Sequence, residues 1–216
     1  MDFEPRLLLP ALASVENAER LVVALSGGLD SVVLLHSVVA LRTSGHLRQP
    51  VSAIHVNHGL SPNATSWQQF CKSLCGALGV ELAVCRVSVP TEPGGSPEDL
   101  ARQARYEAFA SQLCASDCLL QAHHQDDQLE TFMLRMTRGA GPHGLAAMPR
   151  TRRLGGARLL RPLLDIEQSA LSDYARAQGL QWIEDESNTS MKIDRNYWRA
   201  EILPRIAERW PGYRAS

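Results

Sequence analysis

The chain has 216 residues, a formal net charge of −1, 44% hydrophobic and 21% charged residues. Those proportions suit one large α/β domain, or one with a short appendage, and set aside a disordered chain and a polycation. No apolar run approaches the ~20 residues of a membrane span. The start Met1-Asp2-Phe3-Glu4-Pro5-Arg6 carries acids and makes a poor signal peptide.

Short β-rich runs alternate with longer helical ones. The runs predict strands at Leu21–Leu25, Val51–Val56, Val80–Val87 and Cys118–Ala122. Helical patterns fall near Ser31–Leu41, Ala64–Leu78, Pro97–Cys114 and Asp126–Arg138. Such alternation predicts a doubly wound, Rossmann-like parallel sheet with helices on both faces and a ligand at the carboxyl ends of its strands. Beyond Arg138 the texture changes. Gly139–Gly144 reads as a loop and Arg158–Leu160 as a short strand. A capped helix start at Asp165-Ile166-Glu167-Gln168 leads to a helix ending near Gln178 with Gly179 as its stop. A last helix is expected over Arg195–Trp210, with a kink or break at Pro204. Thr91–Pro97 reads as a flexible loop opening a helix.

The most informative stretch joins the first strand to the first helix: Ser26-Gly27-Gly28-Leu29-Asp30-Ser31. A turn there gathers bare backbone N–H groups and the positive end of a helix dipole, an anion site. No Lys follows, so it is not a Walker-type loop. His55-Val56-Asn57-His58-Gly59-Leu60 ends the second strand, where imidazole and amide groups would face the same crevice. On the fourth helix, Glu98, Arg102 and Arg105 share one face. His123-His124-Gln125-Asp126-Asp127-Gln128-Leu129-Glu130 follows a strand and opens a helix. Asp127 and Glu130 fall on one face, suited to Mg²⁺ or to the ammonium of an amine.

Between Arg135 and Arg161 stand seven arginines (135, 138, 150, 152, 153, 158, 161) and no acid. That segregation fits either a solvated loop or a footprint for an RNA backbone. Trp182 and Trp198 read as packing residues, and Arg195, Asn196 and Arg199 as loop caps or RNA contacts. Five cysteines (71, 75, 85, 114, 118) form no C-x-x-C and fit free thiols in a reducing cytosol.

Together these motifs resemble the PP-loop ATPases, and within them the tRNA(Ile)-lysidine synthetase branch. The matching residues are Ser26–Ser31, Val56-Asn57-His58-Gly59, Ala101-Arg102-x-x-Arg105-Tyr106 and His124-x-Asp126-Asp127-Gln128-x-Glu130-Thr131. They continue through Arg138-Gly139-x-Gly141, Gly144-Leu145, Arg161-Pro162-Leu163-Leu164, Asp185-x-Ser187-Asn188 and Arg195-Asn196-x-x-Arg199. The resemblance implies a cytoplasmic ligase that uses ATP and Mg²⁺. It adenylates C2 of cytidine 34 in a tRNA(Ile) with a CAU anticodon, then replaces AMP with free lysine. It implies phosphate or ATP contacts from Ser26, Gly27, Gly28, Leu29, Asp30, Ser31, His58 and His124. Asp30 would bind Mg²⁺ or orient the reacting centre, and Asp127 and Glu130 would hold lysine or metal. Arg105 and Arg161 would meet transition-state charge or tRNA phosphate, and Arg138, Arg195, Asn196 and Arg199 the tRNA.

One catalytic domain is expected over residues 1–216, with a nucleotide-binding core at about 20–145, a tRNA-contacting extension at about 146–216 and the family's further C-terminal domains absent. A homodimer is allowed for. The rivals are another PP-loop tRNA enzyme, such as a cytidine thiolase, and a non-catalytic tRNA- or nucleotide-binding module.

Overall fold

The structure is a computed structural model that describes residues 2–59, 61–87, 97–185 and 194–213. The expected Thr91–Ser96 loop, Ser187, Asn188 and the side chain of Glu98 lie outside them. The chain alternates β1 (Arg20–Ala24), α2 (Leu29–Thr43), β2 (Val51–Asn57), α3 (Ala64–Leu78), β3 (Glu81–Arg86), α4 (Pro97–Gln112), β4 (Asp117–Leu120) and α5 (Gln125–Thr137). A short helix α1 (Leu9–Ala13) precedes this series. It is followed by α6 (Pro142–Leu145), β5 (Thr151–Leu154), β6 (Ala157–Leu160), α7 (Gln168–Ala177), α8 (Asp194–Tyr197) and α9 (Leu203–Arg209).

The strands form one sheet in the order β3-β2-β1-β4-β6-β5, parallel except for β5. The winding runs from β1 outward to β3, then returns to lay β4 against the other side of β1. That reversal opens a crevice between the carboxyl ends of β1 and β4, where open α/β sheets take their ligands. Side chains alternate across the sheet, so neighbouring residues of β1 serve different layers. Leu21 and Val23 join a core with Leu12, Val33, Leu35, Cys71 and Leu171, placing α1, α2, α3 and α7 on one face. Val22 packs instead with Ile54, Phe109 and Leu119, under α4.

Phe3, Leu8, Leu12 and Val15 of the N-terminal stretch are buried in the larger core. Four segments depart from the sequence reading. The expected Gly139–Gly144 loop holds the short helix α6, with Pro142 in its first turn. Strand β5 went unforeseen because Thr151-Arg152-Arg153 shows no apolar alternation. It forms through a hairpin, with Leu154 paired to Ala157 across Gly155-Gly156 and Gly155 at φ +58°. Helix α7 starts at Gln168, and its N-cap residue Glu167 makes no side-chain cap. Asp126 of α5 supplies one instead, accepting from Gln168 N at 2.9 Å. The expected final helix is three pieces: α8, a π turn over Trp198–Ile202, and α9 with Pro204 in its first turn. Proline lacks an N–H and is tolerated where the helix leaves that donor unused.

Candidate active site

Beyond Ala24, the backbone turns sharply through Ser26-Gly27-Gly28 into α2. The turn places Gly27 at φ +94°, and a Cβ there would lie 2.6 Å from Ile183 Cδ1 and 3.2 Å from Cys71 Sγ. Glycine is required twice, by conformation and by space. The N–H groups of Ser26 and Gly27 both donate to Ser31 Oγ at 3.2 Å, and Gly28 N donates to Ser26 Oγ at 3.2 Å. The two hydroxyls lie 3.0 Å apart. Three successive donors thus converge on oxygen atoms at the start of a helix, a nest built for an anion. From outside, Ile183 N donates to Gly27 O at 2.9 Å and ties the 181–185 segment to the turn.

Strand β4 delivers the facing group. His124, 1% exposed, stands with Nε2 3.6 Å from Asp30 Oδ2 and 3.5 Å from Asp127 Oδ2. Its Nδ1 is 3.8 Å from Asp126 Oδ2. The imidazole therefore sits among three carboxyls. Asp127 Oδ2 also accepts from His124 N at 3.1 Å, fixing the first turn of α5. Burial, and the Asp127 charge beyond it, push the Asp30 carboxyl above the usual range against the pull of His124 and Arg199. Asp30 Oδ1, His124 Nδ1 and His58 Nδ1 are buried without a hydrogen-bond partner. Such atoms ordinarily find one, so their concentration at this crevice marks where a polar ligand belongs.

One turn along α5, Glu130 is fully buried. Arg199, carried on the π turn, grips it with two bonds, Nε to Oε1 at 2.7 Å and Nη2 to Oε2 at 3.1 Å. Arg195 Nε lies 3.5 Å from the same carboxyl. Arg199 Nη2 also approaches Asp127 Oδ1 at 3.8 Å. Arg195 and Arg199 thus face inward, joined to α5. Asn196 is buried between them. Arg138 remains at the surface, 3.6 Å from Asp194.

Arg161 is 2% exposed. It donates Nε to His123 Nδ1 at 3.1 Å and Nη1 to Pro149 O at 2.7 Å. His123, half-buried and beside this cation, is pushed down to about 4, burial being the larger cause. Of the polar group after β2, only His58 fits a nucleotide contact. His55 turns inward, its Nδ1 donating to Leu25 O at 2.9 Å. Asn57 holds its own loop through Ala64 O, Gln68 Oε1 and Gly59 N. The His58 ring is lowered by burial and by Arg105, with Asp185 opposing. Arg105, exposed on α4, and Asp185 are thus both near enough for His58 to feel their charge.

The sequence reading had no signal for Ile183, whose segment has no regular period, nor for His123 as the acceptor of Arg161. The seven arginines divide: Arg135 is bound to Gly144 O and Ala147 O, Arg150 to Asp165, Arg158 to Ser14 O and Arg161 to His123. All five cysteines are free. Burial pushes the thiols of Cys71 and Cys118 up to about 12 and that of Cys75 to about 11, the range of inert core residues.

A family model described as a PP-loop domain matches residues 5–206. The chain is 48% identical to a tRNA(Ile)-lysidine synthase of Pseudomonas syringae pv. tomato, over 98% of this chain and 47% of that protein. It is 50% identical to one of Pseudomonas aeruginosa, over 94% of this chain and 46% of that protein. A counterpart from Yersinia pestis is 44% identical, over 97% of this chain and 46% of that protein. The chain spans about half the length of these curated relatives. Among solved structures, the U34-tRNA thiolase NcsA of Methanococcus maripaludis, with its [4Fe-4S] cluster, superposes with a TM-score of 0.76 at 18% identity. That match covers 98% of this chain and 75% of that one, a likeness of fold. A doubly wound sheet, a glycine-built anion nest at its switch point and a PP-loop match over nearly the whole chain agree: this chain belongs to the PP-loop family.

Proposed function

We propose that this chain is the catalytic part of an enzyme that joins free lysine to C2 of cytidine 34 in tRNA(Ile) with a CAU anticodon, releasing AMP and pyrophosphate. The observation carrying this reading is the convergence of the Ser26, Gly27 and Gly28 N–H groups beside the carboxyls of Asp30 and Asp127. A carbonyl oxygen leaves poorly and AMP leaves well. The site must therefore bind the phosphates of ATP and balance charge beside an extruded base.

In this reading the 26–28 donors and Ser31 take phosphate oxygens, and His58 lies toward the nucleoside. Mg²⁺ asks for one or two carboxylates and completes its shell with phosphate and water. Asp30, with its orphaned Oδ1, and Asp127 fit that demand. The ion would neutralise charge on the phosphates. Arg105, on the His58 side, suits developing negative charge. Arg199 and Arg195 occupy Glu130, so Glu130 acts first as the strut of α8 and the π turn. Asp127 is left to serve either Mg²⁺ or the ammonium of lysine. Arg138, exposed at the end of α5, is placed for RNA phosphate.

The test is AMP release from α-labelled ATP with Mg²⁺, lysine and a CAU-anticodon transcript, omitting each component in turn. The reading expects AMP only with the CAU transcript, completion only with lysine, and loss of at least a hundredfold in Asp30→Ala. Transfer of sulfur in place of lysine would convert it to the thiolase. RNA binding with no AMP under any combination would reduce it to a binding module.

A further inference from the structure

Tyr106, on α4, is ringed by guanidinium groups. Arg152 of β5 stacks 4.2 Å from its ring centroid and Arg102 lies 5.4 Å away on the next turn of the same helix. Burial alone would raise the phenol, but Arg102, the bond to Gln121, Arg152 and Arg161 together outweigh it and hold it below its ordinary value. The Tyr106 hydroxyl donates to Gln121 Oε1 at 3.2 Å. Gln121 lies two residues before His123, the acceptor of Arg161.

Among the described residues no carboxylate pairs with Arg102, Arg152 or Arg161. Glu107, the one acid among the described residues that line the groove, accepts from Gln103 Nε2 at 2.9 Å instead. Like charges gathered this closely repel one another, and an anion from outside would balance them. Arg102 and Arg152 line an open groove of about 460 Å³ between α4 and β5, floored by Tyr106, Ala110 and Leu154. Arg153, next on the same edge strand, is exposed. Through the bond from Tyr106 to Gln121, the residue after β4, one wall of the groove is tied to the carboxyl end of that strand.

We propose that the α4–β5 groove is a phosphate-binding track for RNA, in which Arg102 and Arg152, stacked on Tyr106, grip the backbone of the strand entering the catalytic crevice. This rests on the proposed tRNA reaction for its substrate, but its geometry requires only a polynucleotide backbone. Stacking fixes each guanidinium plane while leaving its N–H edge free for a phosphate oxygen. Tyr106 is thus a positioning residue and Arg102 and Arg152 are the ligands. Buried Arg161 completes the field without reaching solvent.

The test measures binding of the CAU transcript and of an unrelated single-stranded RNA as a function of salt. It compares the wild-type chain with Arg102→Ala, Arg152→Ala, their double variant, and Arg42→Ala at the opposite end of α2 as a control of equal charge change. Each lost phosphate contact should flatten the log–log salt slope by about 0.7–0.9. The double variant should bind roughly tenfold or more weakly near 0.1 M salt, while Arg42→Ala should match wild type. Thermal melting of each variant, and Arg152→Lys, which keeps the charge, separate lost contacts from lost folding.

Unchanged slope and affinity in the folded double variant overturn the track even if CAU-dependent AMP release is intact. Weakening equal to that of Arg42→Ala, or a wild-type chain that binds neither RNA, overturns it as well. A groove-dependent loss for both RNAs in a chain that makes no AMP upholds the track and defeats the lysidine reading alone.

Discussion

Arg199 reaches back 69 positions to place its guanidinium in a two-pronged grip on Glu130, at 2.7 and 3.1 Å. The carboxyl has no exposed surface, and the arginine sits on the π turn that interrupts the last helix. π turns recur where a side chain must be re-aimed for function. Here the turn points a cation at the carboxyls of α5 and so fastens the C-terminal segment to the phosphate site.

Breaking that grip should cost folding stability. Glu130→Ala leaves two arginines facing a dry pocket. Because Arg199 and Arg195 keep some access to water, the loss belongs toward the low end of the ~3–5 kcal/mol typical of a broken buried pair. Urea unfolding of Glu130→Ala and Arg199→Met measures it. A loss under about 1 kcal/mol, with a failed lysine-dependent step, would make Glu130 a substrate ligand rather than a strut.

Gly27 has no substitute. Gly27→Ala forces a side chain into a left-handed conformation at about 1–2 kcal/mol. It also drives a methyl into Ile183, so the 181–185 segment must shift. ATP binding by calorimetry should weaken at least tenfold, with the melting temperature lowered by a few degrees. Retained affinity would show that the nest does not bind the phosphates.

His123 should stay neutral through the physiological range. Its folded value lies at about 4, below that of an unfolded chain. Between the two values the unfolded state therefore binds more protons, and stability from this group falls as pH drops from about 6.5 toward 4. NMR titration of the ring should show no inflection between pH 5 and 8. Arg161→Ala should raise the value, since one cation is removed. An ordinary midpoint near 6.5 in the wild type would refute the buried arrangement.

Asp117 at the amino end of β4 accepts from Arg20 at 2.6 and 3.1 Å and from Cys114 N at 2.8 Å. Burial works against its ionisation, but these bonds prevail and hold the carboxyl below its ordinary range. Its stabilisation is therefore present above the unfolded value near 3.9 and is lost as pH falls through the folded value. Asp117→Asn should cost about 1.5–3 kcal/mol at neutral pH and flatten the acid limb of a stability-versus-pH curve. An unchanged acid limb would place the acid transition elsewhere.

Sequence alone determined the parts governed by local rules. Apolar runs of strand length, helical periods between them and the glycine turn after β1 located β1–β4, α2–α5 and the anion nest. Each is set by neighbours within a few positions. Tertiary structure decided what has no local period. Thr151-Arg152-Arg153 became a strand only because β6 offered it an edge. Asp126 caps a helix more than forty residues away, and Ile183 crosses the fold to close over Gly27. The arginines show the division most clearly. Charge segregation was visible in the sequence, but whether a guanidinium meets a carboxylate, a carbonyl or a ring depends on contacts the chain makes only when folded. Arg161 and Arg199 were drawn inward by His123 and Glu130, while Arg102 and Arg152 were left around Tyr106 with no carboxylate paired to them among the described residues.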